Sequence, residues 1–284
     1  TMGAGRQETT PLVHDGIMFL VQACDFVEAL DVRDGSRIWQ YRREQVEHPA
    51  NLACANRNGA LHQDKLFIAT HDAHLVALNV RTGDVAWDVE VGDWTIGQHY
   101  SGGPMVIKGR VVAGMSGCYH LNSRCWVSAH DVETGEEAWR TYTIPGRGEF
   151  GYDSWGDIPD EDRRGGSAWS APSYDPELNL VYWGTGNPGP DYDGTVRMGD
   201  NLYSDSVVAL DADTGEMKWY FQFTPHDVHD WDAIQVPILA DLEMDGEMRK
   251  VMMWANRNAF FYTIDRVTGE FLVGKPFAKQ TWAE

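Results

Sequence analysis

The residues best suited to chemistry lie in the second half of this 284-residue chain. Asp230 and Asp232 stand two apart in Thr224-Pro225-His226-Asp227-Val228-His229-Asp230-Trp231-Asp232. On a strand or turn both could reach one ion of high charge, because hard cations take carboxylate and amide oxygens. Asn187, in Trp183-Gly184-Thr185-Gly186-Asn187-Pro188, offers such an amide. Trp169 precedes this string and Arg257, in Asn256-Arg257-Asn258, follows it. Each has a plainer explanation: Asn187 as a turn residue before proline, Asp230 as a capping carboxylate, Trp169 as packing between sheets, Arg257 as half of a surface ion pair. The elements that position them decide between the two.

Those elements repeat. Five segments share an apolar strand, an Asp or Asn, a short turn with Gly and usually a Trp four residues later. They run from Val27 to Trp39, Leu75 to Trp87, Val127 to Trp139, Val207 to Trp219, and from Phe261 to Gly269, where the Trp is lost. The marker glycines Gly35, Gly83, Gly135, Gly215 and Gly269 are spaced 48, 52, 80 and 54 residues apart. A period near fifty with alternating apolar strands is that of an all-β propeller. The turn glycine supplies positive φ between two strands, and the Trp can lie flat between neighbouring sheets. One small sheet cannot bury both faces, so sheets must stack. An open β-sandwich is the alternative. The long interval holds an insertion around Pro145–Gly166, rich in Gly, Asp and Arg, and such loops commonly carry function. Asp160-Glu161-Asp162-Arg163-Arg164 is at most one helical turn. The stretch Gly269–Glu284 reads as stopping partway through a repeat, and Thr1 reads as the middle of a chain without a secretory signal. The expectation is one partial propeller domain over 1–284, about half of a ring. Such a piece expressed alone is expected to aggregate or stay partly unfolded.

Composition narrows the partners. Asp and Glu number 43 against 23 Lys and Arg, for a net charge of −20. Nucleic acid and anionic membranes would be repelled, and a basic partner attracted. No apolar run is long enough to span a membrane as a helix. Cys24, Cys54, Cys118 and Cys125 form no Cys-x-x-Cys, which excludes a zinc ribbon or thioredoxin motif. Cys118 and Cys125 flank a short loop and are either a disulfide or two buried thiols.

The Trp-Gly-Thr-Gly-Asn-Pro and Thr-Pro-His-Asp segments, with Gly199-Asp200-Asn201-Leu202-Tyr203, closely resemble the pyrroloquinoline quinone (PQQ)-dependent alcohol dehydrogenases of the methanol and ethanol dehydrogenase type. The resemblance runs from about Arg6 to the C-terminus. It implies an eight-bladed propeller, a periplasmic location, and PQQ on the axis beside Ca²⁺ or a lanthanide ion. By resemblance, Glu8 bonds the quinone, Arg57 binds a PQQ carboxylate, and Ser101, Ser116 and Gly117 approach the cofactor. Trp169 stacks beneath its ring, Asn187 ligates the metal, Asp230 is the catalytic aspartate and Arg257 lies beside the quinone oxygens. A planar tricarboxylate does need an aromatic floor and a cationic or hydroxyl rim. Asp232 marks the lanthanide-using members, since an added negative oxygen favours a trivalent ion.

Two departures stand out. The family's ligand glutamate is missing: Ser116-Gly117-Cys118-Tyr119-His120-Leu121 is one residue longer and holds no acid, and Tyr119 or His120 falls nearest. Imidazole is a poor ligand for these ions, so the metal site is expected to be weakened or remodelled. The adjacent cysteine pair beside PQQ is also missing; only Cys54 lies near, and Cys118–Cys125 is a candidate substitute bridge. The implied reaction is oxidation of an alcohol to an aldehyde, with Asp230 as general base and electrons passed to a cytochrome c. The alternatives are a non-catalytic propeller scaffold of the outer-membrane-assembly type and a PQQ-binding homologue with a defective metal site.

Overall fold

The computed structural model describes residues 6–47 and 54–282. Five four-stranded antiparallel sheets follow one another along the chain, each a simple meander. The first is Leu12–His14, Ile17–Gln22, Phe26–Asp31 and Arg37–Arg42. The second is Ala60–His62, Lys65–Ala69, His74–Asn79 and Val85–Glu90. The third is Met105–Ile107, Arg110–Gly114, Trp126–Asp131 and Glu137–Tyr142. The fourth is Ser173–Asp175, Leu180–Gly184, Ser206–Asp211 and Met217–Gln222. The fifth is Ile238–Met244, Glu247–Ala255, Phe260–Asp265 and Phe271–Pro276. The repeat markers therefore fall between the third and fourth strands of each sheet. The fifth sheet has all four strands, which corrects the reading that Gly269 onward stops partway through a repeat: Phe271–Pro276 is the closing strand without its Trp. Residues 1–5 and 283–284 lie outside the described residues.

The chain divides into two compact units, one of residues 1–120 with 127–140 and one of 121–126 with 141–284. In the first, the inward residues of sheets one and two form a shared core that includes Phe19, Val27, Trp39, Leu66, Ile68 and Leu78. In the second, sheets four and five do the same with Tyr182, Val207, Trp254, Tyr262 and Ile264. The insertion contributes no strand to these sheets. It carries the short 3₁₀ turns Tyr152–Trp155 and Asp160–Asp162 and the two-residue strand Arg164–Gly165.

The repeated turn closes by one device. Asp131 Oδ1 accepts from Glu133 N at 2.8 Å and Thr134 N at 3.0 Å, while Gly135 N donates to Asp131 O at 2.9 Å. Asp211 and Asp265 repeat the pattern, and Asn79 does so with an amide oxygen. These side-chain acceptors satisfy backbone donors that the turn leaves exposed. The glycine has a second duty. Trp39 lies on Gly83, where an added Cβ would sit 2.6 Å from the indole, and its Nε1 donates to Val80 O at 2.9 Å. Trp87 repeats this on Gly135, donating to Val132 O at 3.0 Å. Trp219 lies on Gly269, but its Nε1 has no hydrogen-bond partner. The corresponding acceptor, Arg266 O, is taken by the Tyr182 hydroxyl at 2.7 Å.

Gly83 also has φ +77°. Gly83→Ala should therefore cost about 1–3 kcal/mol, because the methyl is both strained and overpacked against Trp39. An unchanged melting temperature in the full-length protein would contradict this.

Asp25 gives a pH dependence. It is 1% exposed, and its carboxylate accepts from His71 N at 3.0 Å. Burial pushes its pKa up to about 6, more than the backbone bond lowers it. The folded protein then holds this proton more tightly than the unfolded chain. Stability should fall as pH rises from about 4 to about 6, by on the order of 2–3 kcal/mol, and stay lower above that. Denaturation of the full-length protein at pH 4 and pH 7 checks it: the loss should be smaller in Asp25→Asn, and an equal loss would refute the assignment.

Candidate functional site

In the first unit a short parallel pairing of Arg6–Gln7 with Ala55–Asn56 carries Glu8 to Arg57. Arg57 Nη2 meets Glu8 Oε2 at 2.7 Å and Nη1 donates to Ser101 O at 2.7 Å. The Ser101 and Ser116 hydroxyls lie 3.3 Å apart. Ser116 and His99 exchange backbone bonds, and Gly117 has φ +75° with its Cβ position 2.0 Å from Gly97 O, so only glycine fits. Glu8, Arg57, Ser101, Ser116 and Gly117 thus gather in one unit. Tyr119 and His120, beyond them, are exposed.

In the second unit the geometry centres on Asp232, only 6% exposed. The segment Arg164–Gly165 pairs with Pro188–Gly189, and Gly186 N donates to Ser167 O at 2.9 Å. This ladder sets Trp169 beside Asn187. Ala233 N then donates to Thr185 O at 3.1 Å, drawing the acidic segment onto the same strand end. The approach is close: a Cβ on Gly186 would sit 2.5 Å from Asp232 Oδ1 and 3.5 Å from Trp169 Nε1.

Asp232 Oδ1 accepts from Asn187 N at 3.0 Å and Oδ2 from Arg257 Nη1 at 3.0 Å, and the Trp169 side chain also hydrogen-bonds to this carboxylate. Asp230, half-buried with φ +61°, lies 3.9 Å from Arg257 Nη2. Arg257 is therefore bonded to Asp232 rather than to Asp230. The turn that aims both acids is tied by buried Asp227, whose two oxygens accept from His229 N at 2.9 Å and Trp231 N at 2.8 Å. His229 stacks on Trp231 at 4.2 Å and His226 Nδ1 bonds Gly199 O at 2.8 Å, so both histidines support the loop. Trp169, Asn187, Asp230, Asp232 and Arg257 come together in this unit.

Sequence reasoning missed Asp205. It is 1% exposed, both carboxylate oxygens lack a hydrogen-bond partner, and its N–H donates to Gly186 O at 3.0 Å beside Asn187. The available signal was an acid two residues ahead of the apolar run Val207–Leu210, where a buried strand leaves it no water. Burial, then Asp227 and Asp232, hold its carboxyl well above the usual range. Burial pushes Asp232 up to about 6 despite the bond from Asn187, and raises Asp230 also. Crowded, under-compensated oxygens of this type are what a hard cation relieves. No three His, Cys, Asp or Glu side chains among the described residues gather tightly enough to hold an ion by themselves. An ion here would take Asn187 and oxygens of a bound ligand as well. The residue types thus fit a hard cation beside an oxygen-rich anion.

None of the four cysteines is free. Cys24 and Cys54 form a disulfide with Cα atoms 5.0 Å apart, and Cys118 and Cys125 are disulfide-bonded as well. The bridge to Cys54 had no counterpart in the sequence reading, because its partner is 30 residues away.

The family of PQQ glucose/ethanol/alcohol dehydrogenase β-propeller domains matches residues 1–275. The chain belongs to that family. Within this PQQ propeller family it is 43% identical to the quinohemoprotein alcohol dehydrogenase ADH-IIG of Pseudomonas putida over 98% of this chain and 41% of that protein. The solved structure of ADHIIG from Pseudomonas putida HK5 superposes with a TM-score of 0.89 at 41% identity, covering 97% of this chain and 42% of that one. A europium-containing methanol dehydrogenase superposes with a TM-score of 0.87 at 31% identity, over all of this chain and 54% of that one. The chain spans about two fifths of the length of the first curated relatives it matches. Its five sheets are accordingly blades of a β-propeller.

Proposed function

We propose that the full-length protein is a PQQ-dependent alcohol dehydrogenase. It oxidises an alcohol to an aldehyde in the periplasm and passes electrons to a cytochrome c. The observation that carries this reading is Asp232: one buried carboxylate bonded to Trp169, Asn187 and Arg257, with Asp230 next to the same guanidinium. A scaffold needs no such convergence. When bound, PQQ would supply a two-electron acceptor and a Ca²⁺ or lanthanide ion a Lewis acid; Trp169 would hold the first, and Asn187, Asp230 and Asp232 the second.

The chain's own residues do the rest. Asp230, the less buried acid, takes the alcohol's hydroxyl proton. Arg257 holds positive charge where oxyanion character develops. Trp169 supplies the apolar face against which a planar ring rests. Arg57, Ser101 and Ser116 of the first unit are suited to a carboxylate, and Glu8 to bonding the quinone. Asn187 and the Asp230–Asp232 pair hold the ion, and the second carboxylate favours a trivalent one. The net charge of −20 favours approach of a basic cytochrome.

Anaerobic reconstitution of the full-length protein tests the reading. PQQ with Ca²⁺ or La³⁺ should yield dye reduction with primary alcohols. Stoichiometric PQQ binding without dye reduction under either ion would leave the defective-site homologue, and no PQQ binding would leave the scaffold.

A further inference from the structure

The insertion in the second unit borders a half-open cavity of about 290 Å³ lined by Arg124, Arg147, Arg163, Asn122, Tyr152 and Asp160, among others. Three guanidinium groups facing one carboxylate is an unusual balance in a chain with 43 acids and 23 bases. Asp160 is already engaged, by Arg147 at 3.0 Å and by the Tyr152 hydroxyl.

Arg163 is 3% exposed. It stacks on the Tyr152 ring at 3.5 Å and donates through Nη1 to Tyr152 O and through Nη2 to Gly156 O and Ile158 O. Those carbonyls orient the guanidinium without neutralising it. Its buried Nε has no hydrogen-bond partner, and Asp160 Oδ1 is 3.7 Å away. Arg124 is oriented the same way, over Tyr142 at 4.2 Å with Nη1 donating to Ile144 O at 3.3 Å. Rings and carbonyls hold two of the three guanidiniums in place, and Asp160 is the one lining carboxylate that pairs with Arg147 and Arg163.

We propose that this cavity is a binding site for a small oxyanion, an organic carboxylate or a phosphate. Its three guanidiniums outnumber the carboxylates beside them, Asp160 in the lining and Glu149 bonded to Gly146 N. The volume sits at the small end of ligand pockets, which suits an anion of a few heavy atoms. Arginine forks pair with planar carboxylate or phosphate oxygens through two parallel bonds. The residues belong to no part of the alcohol-oxidising machinery above.

Calorimetric titration of the full-length protein with inorganic phosphate and with succinate, at fixed ionic strength, tests it and separates the two sources. Saturable binding of one or both is expected. Arg147→Gln and Arg124→Gln should each weaken it about tenfold, the loss of one charge-assisted contact. Arg147 is 77% exposed, so its variant should fold as the wild type does. Arg33→Gln, an exposed arginine elsewhere, should change nothing. No saturable binding up to about 10 mM of either anion, or binding that neither pocket variant alters, would overturn the proposal.

Discussion

Asp230→Asn should lower the turnover of the reconstituted full-length protein by about 10²–10⁴-fold, the usual worth of a positioned general base. The side chain keeps its shape and loses its ability to accept a proton. Asp230 is the acid with solvent access, and its nearest cation, Arg257, stands 3.9 Å away, so the exchange leaves no buried charge stranded. PQQ content and melting temperature should stay near wild type. The stopped-flow rate of alcohol oxidation separates chemistry from electron transfer to the acceptor. Wild-type turnover in the variant would remove Asp230 from the role of base and move attention to Asp232.

The second large effect is structural. Gly184→Ala should disable the site from outside it. An added Cβ would sit 2.1 Å from Ala233 O and 2.9 Å from Ile234 Cα, both backbone atoms that no rotamer change can move. The strand end and the acidic segment must part, and the Thr185–Ala233 bond that registers them is lost. Overpacking of this kind costs about 1–3 kcal/mol. Activity should fall further than stability, by about a hundredfold, because Asp232 and its partners are displaced by a fraction of an ångström or more. A variant with reduced melting temperature and undiminished turnover would show that the register between these strands is not what holds the acids in place.

Much of this architecture was readable from the chain because its signals are local. A turn that needs an Asp or Asn acceptor, a positive-φ glycine and a Trp four residues on writes all three into adjacent positions. The five sheets follow from that, as does the poverty of helix in the insertion. The gathering of Trp169, Asn187, Asp230, Asp232 and Arg257 could be anticipated by family likeness, but their bonding could not. Nothing local says that Arg257 prefers Asp232, since that depends on which carboxylate the fold buries. Asp205 was invisible for the same reason: an acid ahead of an apolar strand looks like a solvated turn until neighbouring segments close over it. Cys54 looked solitary because a disulfide is fixed by tertiary approach and not by spacing. Tyr182 taking the acceptor that Trp219 would use is likewise a competition between residues far apart in sequence.

The seat of each indole has one more implication, for synthesis. Trp39, Trp87 and Trp219 each rest on a glycine supplied by the sheet that follows. A ribosome therefore delivers the ring first and its cover roughly fifty residues later, a delay of about 3–10 s at ordinary elongation rates. For that interval the newest sheet has made its tryptophan but not yet the glycine that covers it.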